Sequence, residues 1–223
     1  MSMPLETKVG DATQVSRTAN NGVIIAHIVN CKGAWGGGFV LALSKMSPIP
    51  VAAYRAWKEQ SGGDIRLGET QFVEVTEGKF VANMCAQKSI DRADGPCLID
   101  YLALERCLRV TFLRALRLGM HVHIPAGCGS GLAGGDKAKI LGIIEAVKGK
   151  TETISSFAKW VKKHTDSPMS LNVTLWEFDD TTAVSYVPPS ETKPVDLGSA
   201  APVEQAGIES AGLTTPEDDI ASL

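Results

Sequence analysis

A chain of 223 residues with 44% hydrophobic content is long enough for one well-buried core and short for two domains of usual size. Its net charge of −3 is unevenly placed: residues 187–223 hold Glu191, Asp196, Glu204, Glu209, Glu217, Asp218 and Asp219 against Lys193 alone, so this segment sits at −6 and the remainder near +3. A mildly basic body suits a small anionic ligand, lacks the dense Lys/Arg stripe that duplex nucleic acid demands, and has no apolar stretch long enough to span a bilayer.

Residues 1–8 are polar and lack the apolar run of a secretory signal, so a soluble, cytoplasmic protein is expected. Five cysteines, Cys31, Cys85, Cys97, Cys107 and Cys128, form an odd number without a Cys-x-x-Cys pair, which predicts reduced structural thiols rather than a disulfide frame or a zinc site.

The segment Val9-Gly10-Asp11-Ala12-Thr13 is a short apolar approach to an exposed acid and, alone, reads as a turn. Residues 22–29 form a nearly continuous β-branched apolar run bounded by Asn and Gly, the pattern of a fully buried strand. Short helical patterns follow over 38–44 and 51–58. Strands are expected over 70–75 and 79–85, joined as a hairpin through Gly78. Over 99–118, Leu102, Leu104, Cys107, Leu108, Phe112, Leu113 and Leu116 recur at three-to-four spacing, predicting an amphipathic helix that ends at Gly119, where a left-handed cap is easy. A strand over 120–124, a helix over 136–147 capped by Asp136, a separate helix over 151–164 and a last strand over 171–178 complete the order. The lysines beside Phe157, Trp160 and Val161 read as a solvated face of that penultimate helix. Alternating strands and helices predict an α/β fold: a mixed central sheet with helices on both faces, occupying residues 1–186 with its core over about 8–178. Beyond Pro188-Pro189, the Pro, Ser, Glu, Gly and Ala composition cannot bury enough apolar area to offset ordering entropy, so residues 187–223 are expected to be a disordered acidic tail.

Two segments carry the chemistry. Residues 26–40 run from the buried strand straight into four glycines around Trp35 and then into a helix; residues 124–136 repeat the plan of strand, glycine-rich loop and helix start. Such glycine density after a strand serves a backbone of positive φ or one approached closely by a ligand, and amides at the start of the next helix suit phosphate. Side by side at the C-terminal edge of a sheet, the two loops would make a cradle for a diphosphate. Gly129-Ser130-Gly131-Leu132-Ala133-Gly134 matches the dinucleotide pattern Gly-x-Gly-x-x-Gly, but it lies late in the chain with no acid at the expected distance, and neither loop has the Gly-Lys-Ser/Thr of a P-loop. His27, inside an apolar strand and three residues before Asn30, is the sharpest candidate for acid or base work, with a satisfied core histidine as the alternative. Asp136 is either an acid or water-orienting group, or the N-cap of its helix. His121 and His123 share one strand face and read as structural. The four histidines lack metal-ligand spacing, and neither metal nor cofactor is expected.

Taken together, Gly10-Asp11-Ala12, His27 with Asn30, the run from Gly33 through Trp35 to Phe39, Val81-Ala82-Asn83-Met84 with Gln87, and the run from Gly131 to Asp136 resemble macrodomains of the phosphatase-like branch, over about three quarters of the chain. The resemblance implies binding of ADP-ribose or ADP-ribose 1″-phosphate, and phosphatase-type hydrolysis of the latter. By it, Asp11 would hydrogen-bond the adenine amino group with the Ala12 amide beside it, and Asn30 would reach the distal ribose. Trp35, Gly36, Gly37, Gly38 and Phe39 would pack around that ribose and the diphosphate, while Gly129, Ser130, Gly131, Leu132, Ala133 and Gly134 would wrap the phosphates. Catalysis would fall to His27, helped by Asp136, and Trp176 or Phe178 could flank adenine. Relatives that remove ADP-ribose from acidic side chains use a lysine and an aspartate where this chain has Gln87 and Ala133. The alternatives are an ADP-ribosyl hydrolase acting on macromolecules, and a non-catalytic reader or scavenger whose acidic tail recruits a protein partner.

Overall fold

The computed structural model describes residues 5–18, 21–161 and 171–178, with side chains described through Ile154 in the last helix. In chain order the elements are β1 (Glu6–Val9), β2 (Val23–Asn30), α1 (Phe39–Met46), α2 (Ile49–Gln60), β3 (Thr70–Thr76), β4 (Lys79–Gln87), α3 (Tyr101–Leu118), β5 (His121–Pro125), α4 (Lys137–Val161) and β6 (Val173–Glu177). The strands form one six-stranded sheet in the order β1-β6-β5-β2-β4-β3, parallel except for the antiparallel β3–β4 hairpin.

Alternation along β2 divides the core. Ile24 and Ala26 face α3 and α4, where they meet Leu104, Leu108, Phe112 and Ile144; Val23, Ile25 and Val29 face α1 and α2, against Leu43 and Tyr54. Every residue of β2 except Ile28 is buried, so its side chains are covered on both faces by helices, as its unbroken apolar run requires. The helices therefore lie on both sides of a mixed sheet, the architecture expected from the alternation of patterns.

Three expectations change. Residues 6–9, for which no element is expected, form β1, an exposed edge strand paired with β6 through backbone bonds and a Thr174–Glu6 side-chain bond at 2.9 Å, so it has no hydrophobic period to betray it; the turn expected over 9–13 is present at Asp11. On α3, Leu102 and Leu113 are 58% and 41% exposed instead of facing the core. Small residues take the places between the large ones, with Ala103, Thr111 and Ala115 completing the buried stripe, and this narrower, flatter face rotates Leu102 and Leu113 outward. The helices expected over 136–147 and 151–164 are one continuous α4 as far as Val161, with residues 162–164 outside the described range. Gly149 does not interrupt it: Lys148 Nζ bonds Glu152 at 2.6 Å, one turn on, and the Thr151 and Thr153 hydroxyls donate back to the carbonyls of Val147 and Gly149. The acidic segment 187–223 lies outside the described residues.

The ends of α3 follow from local chemistry. Asp100 Oδ1 accepts the Ala103 amide at 2.8 Å, capping the first turn, and Gly119 at φ 64° closes the last one in the left-handed region. No helix among the described residues is long and apolar enough to cross a membrane.

Candidate ligand cleft

β2 and β5 are parallel neighbours, so the loops that leave their C-terminal ends emerge on the same edge of the sheet. A cavity of about 420 Å³ opens between them, within the usual range for small-molecule sites. Its walls are Gly37, Gly38 and Phe39 from the first loop, Gly127, Cys128, Gly129, Gly131, Leu132 and Ala133 from the second, and His27 and Ile28 from β2. Gly10, Asp11, Ala12, Trp176 and Phe178 close one end, and Gln87, Val40, Ala42 and Pro125 complete it. The loops come close enough that a Cβ on Gly37 would lie 2.7 Å from Leu132 Cδ1.

Among the described residues no lysine or arginine lines the cleft, so the groups they offer to an anion are backbone dipoles. Among the described residues, the amides of Gly37 and Gly38 on one side and of Gly131, Leu132 and Ala133 on the other donate to no protein acceptor, while their neighbours Ser130, Gly134 and Gly135 are consumed by turns within the second loop. Two sets of unpaired donors thus belong to residues that line one cavity, one of them at the N-terminal end of α1.

His27 is 1% exposed. Its Nε2 lies 2.6 Å from Asn83 Oδ1, whereas Nδ1 makes no hydrogen bond. Burial pulls its pKa down to about 4, outweighing the opposite pull of the Asn83 amide and the Ile28 backbone, so the ring is neutral at physiological pH. Trp35 meets it edge-on with centroids 5.5 Å apart, and Phe39 lies at 6.0 Å. Cys128 accepts the Ile28 amide, and burial pushes its thiol up to about 12, so it is protonated and inert as a nucleophile.

Asp11 accepts the Thr13 amide at 2.8 Å through Oδ1, which turns the chain sharply and sets Ala12 in the wall. Lys79 secures this turn from beneath by donating to the Thr13 carbonyl at 2.9 Å. Trp176 is held flat by its Nε1–H, which donates to His123 Nδ1 at 3.0 Å; His123 in turn stacks on His121, which bonds Thr174. The two histidines read as structural therefore support an aromatic wall of the cleft.

Not every expected residue lines the cavity. Asn30 is committed to the first loop: Oδ1 accepts the amides of Lys32 and Ala34 at 3.0 Å each, Nδ2 donates to the Ala34 carbonyl at 2.7 Å, and the Tyr54 hydroxyl donates to the Asn30 carbonyl. Trp35 packs beneath the loop between His27 and Tyr54 with its indole N–H on Ser44, and Gly36 faces solvent. Ser130 and Gly134 turn the second loop from outside the cavity. Asp136 is exposed, stands outside the cavity wall, and caps α4 by accepting the Lys139 amide at 2.8 Å, as its N-cap reading expects. The contribution of Asn83 was hidden in the sequence, because it depends on β2 and β4 pairing with His27 opposite Asn83, a register that neither strand declares alone.

No family model and no curated protein matches the chain. Among solved structures, it is similar to a protein of unknown function from Bacteroides thetaiotaomicron, at 34% identity over 79% of this chain and 99% of that one, with a TM-score of 0.63. It is likewise similar to a macrodomain protein from Streptomyces coelicolor, at 32% identity over 78% of this chain and 98% of that one, TM-score 0.59. The macrodomain of Mycobacterium tuberculosis DarG shares the fold at 18% identity over 79% and 98% of the two chains, TM-score 0.52. The sheet order, the paired glycine loops on one edge and the near-complete coverage of the Streptomyces protein agree, and the chain belongs to the macrodomain family.

Proposed function

We propose that this macrodomain binds ADP-ribose and hydrolyses ADP-ribose 1″-phosphate to ADP-ribose and phosphate. The observation that carries the reading is the grouping of unpaired amides from Gly37, Gly38 and Gly131 to Ala133 in the lining of one cavity beside a neutral histidine with an unpartnered ring nitrogen. A diphosphate needs several converging donors and no particular side chain, which is what the two loops supply. Asp11 keeps a carboxylate oxygen for the adenine amino group at the end walled by Trp176 and Phe178. These rings bring the apolar area that a base requires.

At the other end, His27 Nδ1 accepts a hydrogen bond from water and aligns it on the terminal phosphorus. The water oxygen bonds phosphorus as the bond from phosphorus to the 1″ oxygen breaks; one water proton ends on the 1″ hydroxyl of ADP-ribose and the other on the released phosphate. A nitrogen whose pKa is held near 4 stores a proton poorly, so its contribution is orientation of the nucleophile rather than lasting proton capture.

The second reading is a non-catalytic reader of ADP-ribose. It is favoured by the sparseness of titratable groups in the wall, where, among the described residues, Asp11 and the protonated Cys128 are the others beside His27. Calorimetry with ADP-ribose, followed by phosphate release from the 1″-phosphate, separates the two. The hydrolase reading expects turnover that falls at least about a hundredfold in His27→Ala, with ADP-ribose affinity retained. Tight binding without turnover of the wild type would establish the reader, and failure to bind ADP-ribose would end both.

A further inference from the structure

The hydrogen bonds behind His27 have a direction. Gln71 Nε2 donates to the Ala53 carbonyl in α2 at 2.9 Å, and a backbone carbonyl can only accept. Gln71 Oε1 therefore faces inward and accepts Asn83 Nδ2 at 3.0 Å, which turns Asn83 Oδ1 toward His27 Nε2 at 2.6 Å. An amide oxygen cannot donate, so Nε2 must carry the proton. Reversing the Asn83 amide would set its oxygen against Gln71 Oε1, and reversing both amides would set Gln71 Oε1 against the Ala53 carbonyl. The chain thus crosses four elements, from α2 through β3 and β4 to β2, and one orientation satisfies it throughout.

We propose that Gln71 and Asn83 are positioning residues that hold His27 as its Nε2–H tautomer, so that Nδ1 is kept as a bare lone pair for the attacking water. This rests on the hydrolase reading for its catalytic consequence, but the tautomer lock is a property of the chain alone. A buried nitrogen without a partner is destabilising, and such a group calls for an explanation. His27 helps to line the cavity, and the attacking water is the partner that this nitrogen would gain. The opposite tautomer would present a donor to the same position and repel the hydrogen of an attacking water.

The test uses the full chain labelled with ¹⁵N. Long-range proton–nitrogen correlation of the His27 ring at neutral pH should give a single form with Nε2 protonated and Nδ1 bare, and saturating ADP-ribose should move the Nδ1 resonance. Gln71→Leu removes the anchor from a half-buried position, leaving Asn83 able to flip; a second tautomer should appear, and kcat for phosphate release should fall about tenfold or more with ADP-ribose affinity held within about twofold, as wrong-tautomer substitutions act elsewhere. Gln71→Glu keeps an acceptor against Asn83 but can donate to the Ala53 carbonyl only when its carboxyl is protonated, so it should show the single tautomer at low pH and the second tautomer as the carboxyl ionises. A bare Nε2 in the wild type, an Nδ1 resonance indifferent to ligand, or one unchanged tautomer in Gln71→Leu would each overturn the proposal. Expected spectra in a wild type that releases no phosphate would leave the lock standing as part of a binding site while ending the hydrolase reading.

Discussion

The two glycine loops share an edge of the sheet and a ligand cavity, yet they hold their shapes by opposite means. The first is tied from within by one side chain: the Asn30 amide bonds both directions of the backbone at Lys32 and Ala34, and Trp35 anchors it to α1 and α2. The second is wedged in place. Gly134, at φ 66°, sits so close to the β4–α3 connection that a Cβ there would lie 2.0 Å from the Pro96 carbonyl oxygen, and the Leu98 amide donates to Ala133 across the same seam. Yet a Cβ on Gly127 or Gly131, both in the cavity wall, would meet nothing within 4 Å. Glycine therefore has two meanings within one loop. At Gly134 the protein itself fills the space; at Gly127 and Gly131 the space is empty and available to a ligand.

Alanine substitutions separate these meanings, and the largest effect belongs to the wedge. Gly134→Ala combines a disfavoured positive φ with a clash against backbone that cannot move aside, and should cost about 3 kcal/mol or more in urea unfolding. Gly131→Ala should leave stability within about 1 kcal/mol of the wild type, or raise it slightly through the unfolded chain, while weakening ADP-ribose at least about tenfold by calorimetry. If the two variants lost stability equally, the division of the second loop into packed and open glycines would be wrong. If Gly131→Ala bound ADP-ribose normally, the ligand would not approach the loop there.

The first loop responds to its tether instead. Asn30→Ala leaves the Lys32 and Ala34 amides without their acceptor at a position 7% exposed, and should cost about 1–3 kcal/mol. Hydrogen exchange should quicken at those two amides and stay unchanged at Gly134 and Gly135, whose amides are bonded inside the second loop. Faster exchange in both loops would mean that they are one cooperative unit and that the contrast in their construction has no energetic counterpart.

Much of this was legible in the residues because it is local. The continuous apolar run of β2, the hairpin through Gly78, the cap at Gly119 and the two glycine loops after strands each follow from a short stretch of chain. What stayed hidden depends on partners distant in sequence. β1 has four exposed residues and exists through its backbone pairing with β6, about 170 positions later. The Asn83–His27 bond needs the register of two strands, and Asn30 reads equally well as a ligand group or as a loop tether until the fold of Lys32 to Ala34 is known. Asn30, Trp35, Gly36, Ser130 and Gly134 are expected at the ligand by their place in the motifs, whereas the cavity wall contains none of them and all but Gly36 make bonds that hold the loops in shape.

Asp136 gives the smallest and sharpest test of that division. It closes the second loop, its amide donating to the Tyr101 hydroxyl at 2.9 Å while its carboxylate caps α4. Asparagine is as good an N-cap as aspartate but cannot release or accept a proton at neutral pH. Asp136→Asn should therefore keep stability within about 0.5 kcal/mol and leave phosphate release unchanged, whereas Asp136→Ala should lose about 1 kcal/mol with the cap. A fall in turnover already present in Asp136→Asn, with stability and ADP-ribose affinity intact, would move this carboxylate from the scaffold of the loop into the chemistry, since the cap is kept there. Unchanged turnover in Asp136→Asn would leave His27 as the side chain that aligns water and the second loop as a mount for amides.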